Sequence, residues 1–533
     1  MKFLKKNIYK ILLISILILA AFLRSYDISS TPPGIYHDEA VNANNAIETL
    51  SSGDFKIFYT DNNGREGLFI NLIALSFYSF GVGVWQLKLP SIVIGTLTVL
   101  GTYLLSKELF RKTKYEEHSE KIALLSSFFI ATSFWHIDFS RIAFRGILTP
   151  LILTIGVILL LRAIRNNKWY LFAAAGLIFG LGGYAYPALQ ISPLLPIFAF
   201  LYFYLKNRKN LSTEQLRKYL GNFSIFFFAS FLVLLPIFNY FSNNQNDASQ
   251  RYSQLSILSS ENPLYEVSKN TLLTLGEFNF KGDCNPRHNF DCQAQLFWLV
   301  GIFFIVGMMF FFKHRKQLPF ALLLFWFFVL LVPAILTNEG VPHALRSIGS
   351  LVPAYIFAGF GAFLTFNLLV KKEDSWEANE RFEKYLKQLH RIRKELIVLS
   401  FLLLAFSGYI QYHTYFDSWK FNSKTIDQFG EKYSNIAAKI NGLPEGTKKY
   451  VVVNTNGIWV DSVPVQAETI KFFTKKNENI QYLREDELES FIPEKNSVLV
   501  PLDQNIPIFK KIQKAFPGGT ISIDENVIFY TIN

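Results

Sequence analysis

Two adjacent carboxylates, Asp38 and Glu39, are the residues of this 533-residue chain whose types and spacing most suggest chemistry. They lie in the segment Pro32-Pro-Gly-Ile-Tyr-His-Asp-Glu-Ala, and a run with helical periodicity follows as far as Leu50. A carboxylate there could act as a general base that takes a proton from an attacking hydroxyl. An ordinary explanation also exists, since carboxylates at a helix N-terminus compensate the helix dipole.

Further clusters of polar side chains interrupt an otherwise apolar chain. They are the candidates for substrate binding: His37, Arg65, Glu66, Asp138, Arg141, Arg145, Tyr184, Tyr186, Asp283, Arg287, His288, His343 and Arg346. Arginines that converge on one face can hold a phosphate through paired hydrogen bonds and stabilise it as a leaving group. Each arginine could instead snorkel to the membrane interface or form an ion pair, and the two tyrosines could belong to an aromatic belt.

The composition places this chain in a membrane. Half of its residues are hydrophobic, 16% are aromatic and only 18% are charged, a balance that a water-soluble chain of this length would not sustain. The apolar stretch 11–23 follows a basic segment but lacks a small-residue cleavage site, so we predict an uncleaved first span. The net charge of +12 resides in short loops between spans, which indicates topology and argues against a nucleic-acid partner.

About eleven stretches are long and apolar enough to cross the bilayer as helices. They are 7–24, 90–107, 121–138, 147–164, 169–185, 189–205, 221–241, 294–312, 318–337, 349–370 and 395–413. The apolar segment 68–80 is too short, and counting it would move most basic loops to the outer side, against the positive-inside rule. We therefore predict a multi-pass plasma-membrane protein with a cytoplasmic N-terminus, an extracytoplasmic C-terminus and an interfacial helix over 67–81.

This topology predicts two domains. Residues 1–413 form the transmembrane domain, with outer loops at 25–89 and 242–293, and residues 414–533 form a small extracytoplasmic α/β domain. Helical spacing predicts an amphipathic helix over 424–441. Alternation predicts strands at 449–454, 497–501, 520–523 and 527–532.

Cys284 and Cys292 both lie in the long outer loop. They are close enough in sequence to form a disulfide if that loop meets an oxidising compartment, and two free thiols are an equal alternative. Neither alternative predicts a metal site, because two cysteines without a nearby cluster of histidines are a poor ligand set.

The order of these motifs resembles bacterial membrane glycosyltransferases of family 39, relatives of the protein O-mannosyltransferases and of the aminoarabinose lipid A transferases, with the GT-C fold. The resemblance covers about residues 5–415. It rests on the basic first span, the segment with the acidic pair, the short interfacial segment, Leu87-Lys-Leu-Pro-Ser and Phe139-Ser-Arg-Ile-Ala-Phe-Arg.

The resemblance implies an enzyme that transfers a sugar, with inversion, from a polyprenyl-phosphate carrier in the bilayer to an acceptor protein, lipid or glycan on the outer face. By the family's pattern, Asp38 is the catalytic carboxylate and Glu39 its acidic companion. Members that act on lipid A or protein often have Lys-Pro-Pro or His-Pro-Pro where this chain has Arg65-Glu-Gly-Leu. Arg65 is therefore the substitute candidate for the donor phosphate.

The single-displacement mechanism requires no cofactor. Because the family is not uniform about metals, a divalent ion at Asp38 or Glu39 is an open alternative. Two other classes of function compete with the transferase. A transporter or flippase tends to place charges near the membrane midplane in repeated halves, and the sequence shows neither feature. A glycan ligase or polymerase shares the donor chemistry and is harder to distinguish.

Overall fold

The computed structural model describes residues 2–247, 257, 261–337, 340–370, 393–455, 459–460, 463–475, 477 and 479–532. These residues are mostly helical. The first ten helices are α1 Lys2–Ser25, α2 His37–Ser52, α3 Gly67–Phe80, α4 Val84–Phe110, α5 Ser119–Thr132, α6 Phe134–Phe139, α7 Leu148–Asn166, α8 Trp169–Leu181, α9 Leu194–Asn207 and α10 Thr213–Asn243. The others are α11 Pro263–Gly276, α12 Trp298–Lys313, α13 Leu318–Val329, α14 Val332–Ile335, α15 Leu351–Val370, α16 Arg393–His413, α17 Ser423–Phe429, α18 Glu431–Gly442, α19 Glu468–Phe473 and α20 Ile506–Ala515.

The strands are short and lie mostly near the C-terminus. They are β1 Phe58–Tyr59, β2 Arg65–Glu66, β3 Lys448–Val453, β4 Trp459–Val460, β5 Val463–Pro464, β6 Ile480–Arg484, β7 Ser497–Pro501, β8 Thr520–Asp524 and β9 Val527–Ile532. The chain forms two compact units that do not follow chain order. The first contains Met1–Tyr26 and Lys88–Trp419, and the second contains Asp27–Leu87 and Lys420–Asn533.

The first unit carries the predicted membrane spans. Eight helical segments of the described chain are long and apolar enough to cross a bilayer: Asn7–Ser25, Val84–Phe110, Arg145–Asn166, Pro187–Asn207, Thr213–Asn243, Leu318–Ile335, Ile348–Leu368 and Glu395–Trp419. The remaining three predicted spans correspond to the shorter helices α5, α8 and α12, with 14, 13 and 16 residues. The prediction of a multi-pass helical membrane protein is confirmed, whereas the count of eleven spans is not. Most of the charged stretch 371–394 lies outside the described residues.

The second unit is built around a five-stranded mixed sheet with the order β6-β3-β7-β9-β8. β3 pairs in parallel with β6 and β7, and β9 pairs antiparallel with β7 and β8. Ile436 and Ile440 of α18 pack on one face of the sheet, and Ile508 and Ile512 of α20 pack on the other. The predicted small C-terminal α/β domain is therefore present.

Several elements of this domain differ from the sequence prediction, which did not include β4, β5, α19 or α20. The single helix predicted over 424–441 is two helices, because Gly430 adopts a left-handed conformation with φ of 63° and ends α17. The strand Ile480–Arg484 was not predicted, since it lies at the edge of the sheet and only Leu483 is buried. The other four predicted strands lie where the alternation placed them.

The segment Asp27–Leu87 packs on the C-terminal residues in the second unit, although the sequence prediction had placed 25–89 in the transmembrane domain. The Thr469 hydroxyl donates to the carbonyl of Ile35 at 3.2 Å, and the Asn44 amide donates to the carbonyl of Glu468 at 3.0 Å. The tight turn at Gly34 fits only glycine, because φ is +87° and an added Cβ would lie 2.8 Å from the carbonyl oxygen of Phe429. The C-terminal domain thus holds the segment that contains Asp38.

Candidate active site and ligand clusters

Asp38 is half-buried in the first turn of α2. The helix begins after Tyr36, which is extended, and ends at Gly53, which is left-handed with φ of 73°. The Asn62 side-chain amide donates a hydrogen bond to Asp38 Oδ1 at 2.7 Å. Asn62 itself has φ of 48°, a left-handed conformation that asparagine tolerates better than most residues. A carboxylate that one amide orients and that solvent still reaches is suited to accept a proton.

Glu39 and His37 flank Asp38 but have different surroundings. The Glu39 side chain is fully buried, and its Oε1 accepts a hydrogen bond from the backbone N–H of Tyr36 at 3.3 Å. This contact closes the N-terminus of α2 in the manner of a capping box. The His37 ring lies 3.8 Å from the Tyr36 ring, measured between centroids. Glu39 therefore has a structural contact, and its role as an acidic companion in catalysis remains a prediction.

Arg65 links the loop that contains Asn62 to α2 through hydrogen bonds. Its side chain is buried, and its guanidinium donates to the side-chain oxygens of Asn42 and Asn45 and to the carbonyl of Asp61. The Asn45 amide in turn donates to the Asp61 carboxylate at 2.9 Å. These contacts favour a positioning role for Arg65 over the predicted contact with a donor phosphate. Glu66 is also buried, in β2 directly before α3.

The predicted residues near the ends of α6 and α8 differ in burial: some are fully buried and others are partly exposed. Asp138 and Arg141 are fully buried, and Arg141 donates to the carbonyls of Leu23 at 2.9 Å and Tyr26 at 2.7 Å. A cation that binds the last carbonyls of a helix stabilises the helix end, so this placement does not favour phosphate binding by Arg141.

Arg145 is partly exposed, and its guanidinium carbon lies 5.7 Å from the centroid of the Tyr186 ring. Tyr184 donates its hydroxyl to the carbonyl of Val233 at 2.5 Å. Of the two predicted tyrosines, Tyr184 therefore has a structural contact, and Tyr186 pairs with a cation.

The loop that contains Asp283 and His288 is closed by a disulfide between Cys284 and Cys292. The sequence left a disulfide and two free thiols open, and the structure contains the disulfide. The backbone N–H of Gly282 donates to the carbonyl of Cys292 at 3.1 Å, and the Asn289 amide bridges the carbonyls of Asp283 and Gln293. These bonds hold Asp283 and His288 within one compact turn.

Asp283, His288 and His343 form a cluster in the first unit. His288 Nδ1 lies 2.8 Å from Asp283 Oδ2, and His343 Nδ1 lies 3.9 Å from the same oxygen. Burial lowers the pKa of both imidazoles. Burial alone would raise the pKa of Asp283, but the hydrogen bond from His288 holds it below the usual value. The cluster therefore combines a carboxylate with two neutral imidazoles.

Arg287 and Arg346 flank this cluster and are partly exposed. Arg346 donates to the Thr337 hydroxyl at 2.8 Å, and Arg287 donates to the side-chain oxygen of Asn285 at 3.3 Å. Their positive charges are among the causes that lower the pKa of His343 after burial. Of the predicted phosphate-binding arginines, these two and Arg145 keep part of their surface exposed.

Glu277 is a buried acid that the sequence did not single out. Burial raises its pKa to about 8, and the Asp283 carboxylate adds to the shift. Nothing in its sequence context, at the end of α11, distinguishes it from an exposed glutamate.

The contacts of Asp38 and Glu39 give little support to a metal ion bound jointly by the two carboxylates. The Glu39 carboxylate is used at the helix N-terminus, whereas Asp38 contacts the loop at Asn62. In the part of the chain that the structure describes, the group of carboxylate and imidazole ligands that could hold an ion is Asp283, His288 and His343.

Comparison with solved structures identifies the fold. ArnT from Cupriavidus metallidurans, bound to undecaprenyl phosphate, superposes with a TM-score of 0.57 and 12% identity over 98% of each chain. The archaeal oligosaccharyltransferase AglB from Archaeoglobus fulgidus, in complex with an inhibitory peptide and a dolichol-phosphate, has a TM-score of 0.55 and 14% identity. That match covers 99% of this chain and 74% of the AglB chain. The protein therefore has the GT-C fold, as predicted.

Sequence comparisons show which part of the chain matches known glycosyltransferases. Residues 68–235 match the family model described as dolichyl-phosphate-mannose-protein mannosyltransferase. "Putative mannosyltransferase YkcB" of Bacillus subtilis (strain 168) is 29% identical over 210 residues, which are 38% of this chain and 27% of that protein. The match thus spans about a quarter of that relative's length. The predicted resemblance is confirmed over this part of the chain, and the family match begins after Asp38 and Glu39.

Proposed function

We propose that this protein is a membrane glycosyltransferase that moves a sugar from a polyprenyl-phosphate donor to an acceptor hydroxyl on a protein, lipid or glycan. The observation that carries the proposal is Asp38, which Asn62 orients at the start of α2 in a chain with the GT-C fold. The ArnT structure contains undecaprenyl phosphate and the AglB complex contains a dolichol-phosphate, which supports a lipid-phosphate donor here.

In the proposed reaction Asp38 accepts the proton of the acceptor hydroxyl as its oxygen attacks the anomeric carbon. The new carbon–oxygen bond forms on the face opposite the phosphate while the bond from the anomeric carbon to the phosphate oxygen breaks. Polyprenyl phosphate leaves with that electron pair, and the configuration inverts. Charge-assisted bonds from cations would stabilise the developing anion on the leaving phosphate, and the predicted arginines Arg145, Arg287 and Arg346 of the first unit keep exposed surface for such a contact.

The second unit supports a topology in which the proposed base and the C-terminal domain share one side of the membrane. Asp27–Leu87 and Lys420–Asn533 form one compact unit, so the chain between them crosses an even number of times. The ten predicted spans in this interval agree with that requirement. The disulfide in the loop 242–293 favours an oxidising compartment, so we propose that this side is extracytoplasmic and that the N-terminus is cytoplasmic.

A donor assay distinguishes the transferase from its alternatives. Purified full-length protein is incubated with hexosyl and pentosyl polyprenyl-phosphate donors and a membrane extract of the host as acceptor. A transferase releases polyprenyl phosphate from one donor and moves its sugar to an acceptor. A ligase for assembled glycans leaves every single-sugar donor intact, and a flippase moves donor across vesicles without cleaving it. Recovery of all donors unchanged would contradict the proposal.

A further inference from the structure

Asp283, His288 and His343 bring three metal-ligating groups together, and none of the three takes part in the proposed transfer step. Their ligand atoms lie within 4.8 Å of one another. Asp283 and His288 are 3% and 1% exposed, and the His343 side chain is 15% exposed. We propose that these residues form a binding site for one divalent transition-metal ion, with Zn²⁺ as the best match to a set of two imidazoles and one carboxylate.

The two separations between ligand atoms bracket the distance expected for shared coordination of one ion. Two ligands that bind Zn²⁺ at about 2.0–2.1 Å with tetrahedral angles lie about 3.3 Å apart. The separations from Asp283 Oδ2 to His288 Nδ1 and to His343 Nδ1 are 2.8 and 3.9 Å, on either side of that value.

A plain hydrogen bond explains only part of the cluster. The pair of His288 and Asp283 is satisfied without an ion, because His288 Nδ1 can donate to the carboxylate. The contact of His343 is not explained in this way, since 3.9 Å is too long for a hydrogen bond. Within the described residues His343 Nδ1 is buried and makes no hydrogen bond. Buried polar atoms normally have a partner, and an ion would supply one.

The surrounding contacts already hold the carboxylate in place, as the ligands of structural metal sites require. Asp283 Oδ2 accepts from the backbone N–H of Ala344 at 2.9 Å, and Asp283 Oδ1 accepts from the backbone N–H of Asn285 at 2.8 Å. The disulfide of Cys284 and Cys292 closes the loop on either side of His288. The ion would join this loop to the segment that contains His343, and a water would complete the tetrahedral ligand set at the partly exposed His343.

The test measures metal binding in the full-length protein, purified in detergent with an affinity tag that contains no histidine. The protein is stripped with a chelator, incubated with Zn²⁺ alone, desalted and measured for metal content, and Co²⁺ in place of Zn²⁺ reports the ligand geometry by its visible absorption. The wild type is expected to retain one equivalent. His343→Ala should weaken binding by more than about 100-fold, because even outer-shell changes cost 10–100-fold.

Two controls separate a metal site from a fold defect. His413→Ala removes a histidine that is half-exposed and pairs with Asp417 outside the cluster, and it should bind like the wild type. Asp283→Asn keeps the shape of the side chain and removes its charge, so it should lose metal while eluting as a folded monodisperse protein. The proposal is overturned if the wild type retains no more metal than His343→Ala, or if His413→Ala loses it equally. Asp38→Asn should retain the ion, so this test is independent of the proposed transfer reaction.

Discussion

The hydrogen bond from Asn62 to Asp38 gives a quantitative prediction for the proposed base. Asn62→Gly removes the amide that lies 2.7 Å from Asp38 Oδ1. Glycine accepts the φ of 48° at this position without strain, so the substitution tests the side chain and not the backbone. A hydrogen bond to a charged group contributes about 1.5–3 kcal/mol, which corresponds to about a 10- to 150-fold change in rate at 1.36 kcal/mol per tenfold.

We expect the lower part of that range, because Asp38 is half-buried and water can replace part of the lost contact. The assay measures kcat for sugar transfer at saturating polyprenyl-phosphate donor. Asn63→Gly is the matched control, since Asn63 is the next residue, has φ of 65° and is exposed. Asn63→Gly should leave kcat within about twofold of the wild type.

If Asn62→Gly and Asn63→Gly have the same kcat while both remain folded, the Asn62 amide does not orient a catalytic base. The same result would follow if Asp38 were a surface carboxylate that only compensates the dipole of α2, because its orientation would then have no effect on chemistry. Equal thermal unfolding temperatures for the two variants are therefore required before their kcat values are compared.

Two further predictions concern stability. Gly34→Ala should lower the thermal unfolding temperature and increase proteolysis of the segment 27–87, because its Cβ would lie 2.8 Å from the carbonyl oxygen of Phe429. Gly53→Ala is the control: its φ is also positive, but nothing lies within 4 Å, so it should lower the free energy of unfolding only by the left-handed strain of about 1–2 kcal/mol. Equal losses of stability in the two variants would show that residue 34 is not packed on the C-terminal domain. Burial raises the pKa of Glu277 to about 8 from 4.5. Between these pH values the folded state keeps a proton that the unfolded state has released, so stability falls as pH rises. In a series of unfolding temperatures from pH 5 to 8, Glu277→Gln should remove this fall, and an unchanged slope would contradict the raised pKa of Glu277.

Much of the fold was predictable because the signals are local. The basic loops excluded the segment 68–80 as a span, and the structure places α3 in the second unit, where Phe77 stacks on Phe472. Alternation in Ser497–Pro501 and Val527–Ile532 located two strands. The glycine at 430 is compatible with the end of a helix, but the helical spacing of apolar residues continues through it. That spacing predicts one helix and gives no sign of the left-handed turn between α17 and α18.

The site was less predictable, because residue type does not report a side chain's partners. Arg65 and Arg141 have the chemistry of phosphate ligands, yet their guanidinium groups bind side-chain amides and helix carbonyls. Asn62 lies 24 residues after Asp38, and only tertiary packing brings its amide to the carboxylate. The same holds for His343, which lies 60 positions after Asp283 in the sequence.

The most direct test of the central claim is the rate of sugar transfer by Asp38→Asn. The amide keeps the size of the side chain but cannot accept the proton of the acceptor hydroxyl. General-base catalysis contributes about 10²- to 10⁴-fold, so kcat should fall by that factor while donor binding is retained. Asp54→Asn, which alters an exposed carboxylate just beyond α2, should keep the wild-type rate. Transfer by Asp38→Asn at the wild-type rate would contradict the claim that Asp38 is the base.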